Sequence, residues 1–599
     1  MSARIRFHTL WIFSALVLSF PALCSAEEVA DARRLPKGTV AYFSIRNMAE
    51  FRSGFNQSMF GQMLHDPAMQ PFLGELHSKV ADGLKHFESE AGFTVDELLS
   101  VPQGELSFAV TLGPNAGQFA LVTFVDFTGR EESFRKVLDR VQRAWEEQGI
   151  KRVEEEIEGS PAFLIQVPAN DSPVKLAPAY AIKGSTLVFT THTDALRTVL
   201  ARWDGQHSET FADNETFKYI ADRCQGEGSE SAPLGAWFVD PLSIVKGALS
   251  SDPQMAFQAA VAMGVVQQVG VDKFRGMGGS FDMVRGDFDG VSHTFMYIEP
   301  TPRGVMNIMQ FDDGALGPPT WVASDVGGFS STRWNLEKAY TTVESLVDMF
   351  AGPGRTGRTL DDIAQNAETG RLHLRKDLID QLTGSYQSFS DQVGEGAAAR
   401  QRMLLALELR NAPAMKGVLA RIAAIEGFPG KQREFQGETL YEISIPANAL
   451  QQLGVPNLTQ LQAGGDGADD GDSSVGIAVV EQRLMIAFEV TALEQVIRGL
   501  GDRERLSDSA VYKKVASRFP ARAASIGFSR GDLQFKQSLE VFKSGMLEQA
   551  LSQQMDFNLD FSKLPDFEAL KKYTSPTGSY MVVDPKGLHW TSFSLKGGD

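Results

Sequence analysis

Leu98-Leu99, then Gly104 ahead of Glu105-Leu106-Ser107-Phe108, is written again as Leu378-Ile379, then Gly384 ahead of Ser385-Tyr386-Gln387-Ser388-Phe389. The two glycines stand 280 positions apart. Self-similarity at a fixed spacing decides an architecture before any single motif does. The correspondence continues along the chain. Phe134, Val137, Leu138 and Val141 fall at i, i+3, i+4 and i+7, the apolar stripe of an amphipathic helix, and Met415, Val418, Leu419 and Ile422 repeat it. An apolar strand precedes each helix, Phe119 to Phe127 and Arg402 to Leu409.

Further on, Gly159 ahead of Phe163 to Pro168 matches Gly437 ahead of Leu440 to Pro446. Leu187-Val188-Phe189 before Thr193-Asp194-Ala195-Leu196 matches Leu484-Met485-Ile486 before Val490-Thr491-Ala492-Leu493, now 297 positions on. The jump locates an insertion in the second copy, the acidic glycine-rich segment 463–473. Both copies close on a hairpin: Gly279 to Ile298 across Asp289-Gly290, and Gly578 to Leu595 across Pro585-Lys586-Gly587. Six matches in one order define a unit at 35–300, a linker 301–317 and a second unit at 318–596. Val305 to Met309 makes the linker apolar enough to dock. Within a unit the strands come in runs joined by short turns, so the expected fold is α+β, with a mainly antiparallel sheet and packed helices.

The first 26 residues have the order of a secretory signal peptide: Arg4 and Arg6, an apolar core from Leu10 to Phe20, and the small residues Cys24-Ser25-Ala26 before Glu27-Glu28. The apolar core is too short to span a bilayer. Leu23 before Cys24 fits a lipidation pattern poorly, so plain cleavage is expected. Cleavage leaves Cys224 as the one cysteine, which excludes an intramolecular disulfide. No later stretch reaches membrane-spanning length; Met255 to Val269 is interrupted by Gln258, Gln267 and Gln268. The expected product is therefore periplasmic or secreted, without a transmembrane segment in the mature chain. The full chain of 599 residues carries a formal charge of −18, and loss of two arginines makes the mature chain more acidic. Such a surface repels phosphate backbones, so nucleic acid is not an expected partner.

The opening Leu35-Pro36-Lys37-Gly38-Thr39-Val40-Ala41-Tyr42-Phe43-Ser44-Ile45 and the later Phe60-Gly61-Gln62-Met63-Leu64-His65-Asp66-Pro67 resemble a family of exported bacterial proteins known as a domain of unknown function, common in planctomycete-like bacteria. The resemblance covers most of the first copy and, more weakly, the second, where Trp321-Val322-Ala323-Ser324-Asp325-Val326 replaces the opening. It implies export and brings no catalytic motif.

Gly527-Phe528-Ser529-Arg530-Gly531 fits the nucleophile turn G-x-S-x-G of secreted hydrolases, with His589 the only histidine downstream and Asp560 or Asp584 as an orienting carboxylate. The matching turn of the first copy, Phe238 to Leu242, holds no serine, and the pattern of a parallel sheet is missing. Gly352 to Thr359 satisfies a phosphate-loop spacing, yet helix rather than strand precedes it, so it reads as a connection between helices. Gly464 to Asp472 matches the start of a calcium-binding nonapeptide but lacks the apolar pin and a second turn, so a metal-free loop is expected. Arg285-Gly286-Asp287 and Arg530-Gly531-Asp532 read as turns. The histidines make no zinc pattern. We therefore expect a non-enzymatic structural or binding protein of the cell envelope with no cofactor, no metal and an envelope protein as partner; the alternative is a serine hydrolase using Ser529 and His589.

Overall fold

The computed structural model describes residues 30–79, 94–113, 118–166, 176–204, 207, 209–226, 232–250, 256–393, 400–445, 473–543 and 559–597. Residues 1–26, expected from sequence to be a signal peptide, and 463–472 of the acidic glycine-rich segment lie outside the described residues.

The fold is α+β. Among the described residues ten strands come from the N-terminal half: β1 (Thr39–Ile45), β2 (Leu106–Leu112), β3 (Phe119–Asp126), β4 (Lys151–Ile157), β5 (Ser160–Gln166), β6 (Ala179–Lys183), β7 (Thr186–Thr190), β8 (Gly235–Val239), β9 (Phe274–Met283) and β10 (Phe288–Ile298). Ten more follow: β11 (Gly328–Arg333), β12 (Leu382–Val393), β13 (Arg400–Leu409), β14 (Gly430–Phe435), β15 (Glu438–Ile445), β16 (Ser473–Val480), β17 (Arg483–Ala487), β18 (Ser525–Ser529), β19 (Thr577–Asp584) and β20 (Gly587–Leu595). Pairing in the first set runs β4-β5-β6-β7-β3-β2-β1-β8-β9-β10, all antiparallel. In the second it runs β14-β15-β16-β17-β13-β12-β11-β18-β19-β20, again antiparallel, so each pairing repeats one of the first set with ten added to both strand numbers. Antiparallel pairing of β10 with β20 joins them into one twenty-stranded sheet.

Side chains alternate across this sheet, and one face carries the main cores. Tyr42 of β1 stands opposite Ala109 and Phe238, in a core with Val122, Val188, Phe211 and Ile220. Phe329 of β11 stands opposite Phe389 and Phe528, in a core with Leu404, Met485, Leu506 and Tyr512. The Glu131–Glu147 helix opens on two glutamates that suit its positive end. It stops before Gly149 at φ +74°, where glycine takes the left-handed turn without strain. Its stripe buries Phe134 and Val137 against Val125 and Phe127, with the Phe127 and Phe134 rings stacked at 3.9 Å. Truncating Phe134 to alanine is expected to cost about 3–5 kcal/mol.

Among the described residues the free edges of the sheet are β4 and β14. Lys151 to Glu156 along β4 are exposed and mostly charged, and β14 reads Gly-Lys-Gln-Arg-Glu-Phe. Charge on an edge opposes pairing with another chain.

The linker is docked. Gly304 at φ +53° lets Val305 donate its N–H to the Val269 carbonyl at 2.7 Å, Trp334 Nε1 donates to the Ile308 carbonyl at 2.8 Å, and Met309 and Phe311 pack on Met581 and Leu588. The halves also touch through helices: Met63, Met69 and Phe72 pack with Leu559, Phe561 and Leu570, and the Asp66 carboxylate accepts from Tyr573 Oη at 2.7 Å and pairs with Lys572 at 2.7 Å.

One local expectation changes. The first terminal hairpin turns at Arg285-Gly286-Asp287, with Gly286 at φ +57°, and not at Asp289-Gly290, which lies inside β10. Asp289 is bulged out of the ladder between Phe288 and Gly290; its carbonyl accepts from Val284 N–H at 2.9 Å and closes the turn, while its carboxylate accepts from Met59 N–H at 2.8 Å. The connection at Gly352 joins the Leu336–Ala351 and Arg355–Gln365 helices, as expected, and the Asp348 carboxylate closes it by accepting from Gly354 N–H at 2.8 Å and from Thr356 N–H at 2.7 Å.

Candidate functional site

Where β10 meets β20, the face of the sheet opposite the main cores is floored by small side chains. Ser292, Ser592, Ser579 and Gly527 lie directly opposite one another on β10, β20, β19 and β18. Gly290, Ser594, Thr577 and Ser529 form the neighbouring row on the same strands. Alternation puts both rows on one face. The floor is thus four strands wide, about 14 Å at the usual strand spacing. Phe281 and Met283 of β9 stand at one side of it, and Gln534, on the Asp532–Lys543 helix, at the other. They bound a cavity of about 600 Å³, within the usual range for a small-molecule site.

The lining is neutral in effect. Ser292 Oγ donates to the Ser592 carbonyl at 3.3 Å, Ser594 Oγ to the Gly290 carbonyl at 3.5 Å, and Ser529 Oγ to Gln534 Oε1 at 2.8 Å. Three hydroxyls are therefore turned toward protein acceptors. Asp282, the one ionisable group in the lining, is paired with Arg285 and accepts from Leu234 N–H at 3.0 Å; burial pushes its carboxyl up from the usual range. The Phe281 ring meets Phe51 edge-on at 6.2 Å, which holds that wall in place.

The other face of the same strand pair carries two histidines. His293 and His589 stack with ring centroids 5.5 Å apart. His293 Nδ1 lies 3.1 Å from Thr591 Oγ1, and His589 Nε2 is buried without a hydrogen-bond partner. Burial, reinforced by the neighbouring His589, lowers His293 to about 4. Burial also lowers His589 to about 4, with Asp584 opposing and Arg223 adding to the shift.

The structure does not bring Ser529 and His589 together. Ser529 stands opposite Thr577, which stands opposite Ser594, and His589 lies five residues before Ser594 on β20. Five residues along a strand is about 17 Å, and an odd count puts the two side chains on opposite faces. Ser529 Oγ accepts from Gly531 N–H at 3.1 Å, so it serves the turn into the following helix. Asp560 caps its own short turn through Ser562 N–H. Asp584 shares a face with His589, but its carboxylate accepts from Tyr219 Oη at 2.6 Å and from Lys586 N–H at 2.8 Å. Among the described residues no three His, Cys, Asp or Glu side chains group as metal ligands, and no helix is long and apolar enough to cross a membrane.

Of the floor residues, sequence reasoning singled out Gly527 and Ser529, and those for a nucleophile turn rather than for a floor. The signal is present in Gly290-Val291-Ser292-His293, Thr577-Gly578-Ser579 and Ser592-Phe593-Ser594: period-two strands whose second face carries serine and glycine where an exposed face usually carries long polar side chains.

No protein-family model, no curated protein and no solved structure matches the chain. The fold and the site alone define the class: an α+β protein with one antiparallel twenty-stranded sheet and a neutral cavity floored by the strands that join its halves.

Proposed function

We propose that the chain is an exported, non-catalytic binding protein of the cell envelope, built by duplication of one α+β unit, whose ligand sits in the cavity over β10 and β20. The floor carries this reading. Eight small residues from four strands leave a volume the size of a ligand site, and three of their six hydroxyls are engaged with protein acceptors rather than poised for chemistry. The duplication rests on the six ordered sequence matches and on the repeated strand pairing. Export rests on the order of charge, apolar core and small residues at the N-terminus, together with the short likeness to the exported family.

Equilibrium dialysis of the mature chain against a panel of neutral and charged small molecules tests the reading. Retention of a neutral compound is expected, with loss of at least tenfold in affinity when Ser592→Phe fills the floor. Equal retention by a folded Ser592→Phe chain contradicts it.

A further inference from the structure

The register between β10 and β20 is symmetric about the pair His293 and Thr591: Val291 stands opposite Phe593 on one side, Phe295 opposite His589 on the other. Exchanging the halves about that point carries the cavity floor onto β20, β10, β9 and β8. The row Ser292, Ser592, Ser579, Gly527 becomes Trp590, Thr294, Gly279, Trp237, and the row Gly290, Ser594, Thr577, Ser529 becomes Leu588, Met296, Met277, Val239. One patch holds only serine, threonine and glycine. Its counterpart holds two indoles, two thioethers and two branched aliphatics beside one threonine and one glycine.

The bulky patch fills its own space. A Cβ on Gly279 would lie 2.6 Å from Trp237 Nε1, so the indole lies across that glycine. Leu588 and Trp590 belong to the cluster on which Met309 and Phe311 of the linker rest. Among the described residues the small patch has no such filling, and the cavity is the result. What the counterpart uses to cover the same backbone surface is flat aromatic and apolar mass. The floor hydroxyls that donate to carbonyls are compatible with it, since a satisfied hydroxyl costs little to cover. The Phe281 wall adds an aromatic edge for offset or edge-on contact. With its one carboxylate neutralised by Arg285, the lining has nothing to balance a charge on the ligand.

We infer that the cavity binds an uncharged flat aromatic group, laid on the serine and glycine floor where the counterpart patch carries its own tryptophans. This rests on the binding reading above and names the ligand chemistry. A free small molecule and a peptide side chain both present such a group, and the test separates them.

The experiment is calorimetric titration of the mature full-length chain with four probes: N-acetyl-tryptophanamide, indole-3-acetate, an uncharged pentapeptide with central tryptophan, and an uncharged disaccharide. Neutral aromatic probes are expected to bind, with indole-3-acetate at least tenfold weaker. Tighter binding of the amide marks a small-molecule site, and tighter binding of the peptide marks a peptide site. The double variant Gly527→Trp with Ser579→Gly copies the Trp237 and Gly279 arrangement into the cavity; it is expected to keep or raise the melting temperature and to lose at least tenfold in affinity. A folded double variant that binds as the parent does overturns the inference. Binding of the disaccharide alone, abolished by Ser592→Phe, overturns the aromatic class while the cavity reading stands. Failure of every probe overturns the inference as well.

Discussion

His293 and Thr591 face each other across the strand pair that, among the described residues, joins the two halves, with Nδ1 and Oγ1 3.1 Å apart. The pair is the centre of the register symmetry, and His589 lies two residues from it on the same face. An imidazole buried there is stable only while neutral.

That position sets an acid limit on the junction. Both rings have their pKa lowered to about 4 by burial, against about 6.5 when the chain is unfolded. A lowered cation pKa leaves stability intact above 6.5 and removes it as pH falls from 6.5 toward 4, because the unfolded chain takes up the protons first. The groups facing the rings are Thr591, Asp584 and Arg223, and the Asp584 charge only partly offsets the burial of His589. Each ring accounts for at most about 3 kcal/mol. The expected result is a melting temperature that drops between pH 6.5 and pH 4, with His589→Leu flattening the drop relative to the parent.

A second buried pair acts in the opposite direction. Asp31 receives the Ser107 hydroxyl at 2.7 Å, and Glu105 Oε1 accepts from Tyr42 Oη and Ser44 Oγ, each at 3.4 Å. Burial raises both carboxyls, and the Asp31 charge raises Glu105 further, well above the usual range. Raised carboxyl pKa values favour the folded state at low pH and cost stability as pH climbs above about 4.5. Glu105→Gln is expected to gain on the parent as pH rises from 4.5 to 8 in urea denaturation. A constant difference across that range would show that the pair does not titrate.

Arg402 and Asp391, directly opposite on β13 and β12, form an ion pair with both side chains under one-tenth exposed, with Arg402 Nε donating at 2.8 Å. Asp391→Ala leaves a buried guanidinium without its acceptor and is expected to cost about 3–5 kcal/mol. Replacing both, Asp391→Leu with Arg402→Met, is expected to recover most of that loss in chemical denaturation.

The linker depends on Gly304. A Cβ there would sit 2.0 Å from the Val269 carbonyl oxygen, at a φ of +53°. Gly304→Ala is expected to lift the segment from the end of the preceding helix at a cost of about 1–3 kcal/mol. The readout is hydrogen exchange at the Val305 amide, which becomes faster if the contact is lost and stays protected if it is not.

Much of the fold was legible because periodicity is local. The stripe at Phe134 to Val141 and the offset between Gly104 and Gly384 depend on residues near each other in sequence, and both fall on the expected elements. The turn at Arg285 was missed because Asp289-Gly290 has the composition of a hairpin, and only the bulge shows that the ladder absorbs it. The site was not legible for a different reason. Its floor joins residues 290–292 to 527–529, 577–579 and 592–594, and nothing in those stretches separately says that β10 pairs with β20. The serine at 529 drew notice through a motif whose partner histidine the sheet puts on its far side.

That β10 joins β20 in this register is the claim on which the cavity, the symmetry and the inference about its ligand depend. Ser292 and Ser592 stand directly opposite each other across the junction, so Ser292→Cys with Ser592→Cys is expected to form a cross-link on mild oxidation of the native chain. Mass spectrometry of tryptic fragments should show the 292–592 disulfide, with none formed in the control pair Ser292→Cys with Ser579→Cys, which stand two strands apart. Absence of the 292–592 bond in a folded chain, or equal yield from the control pair, would contradict the account.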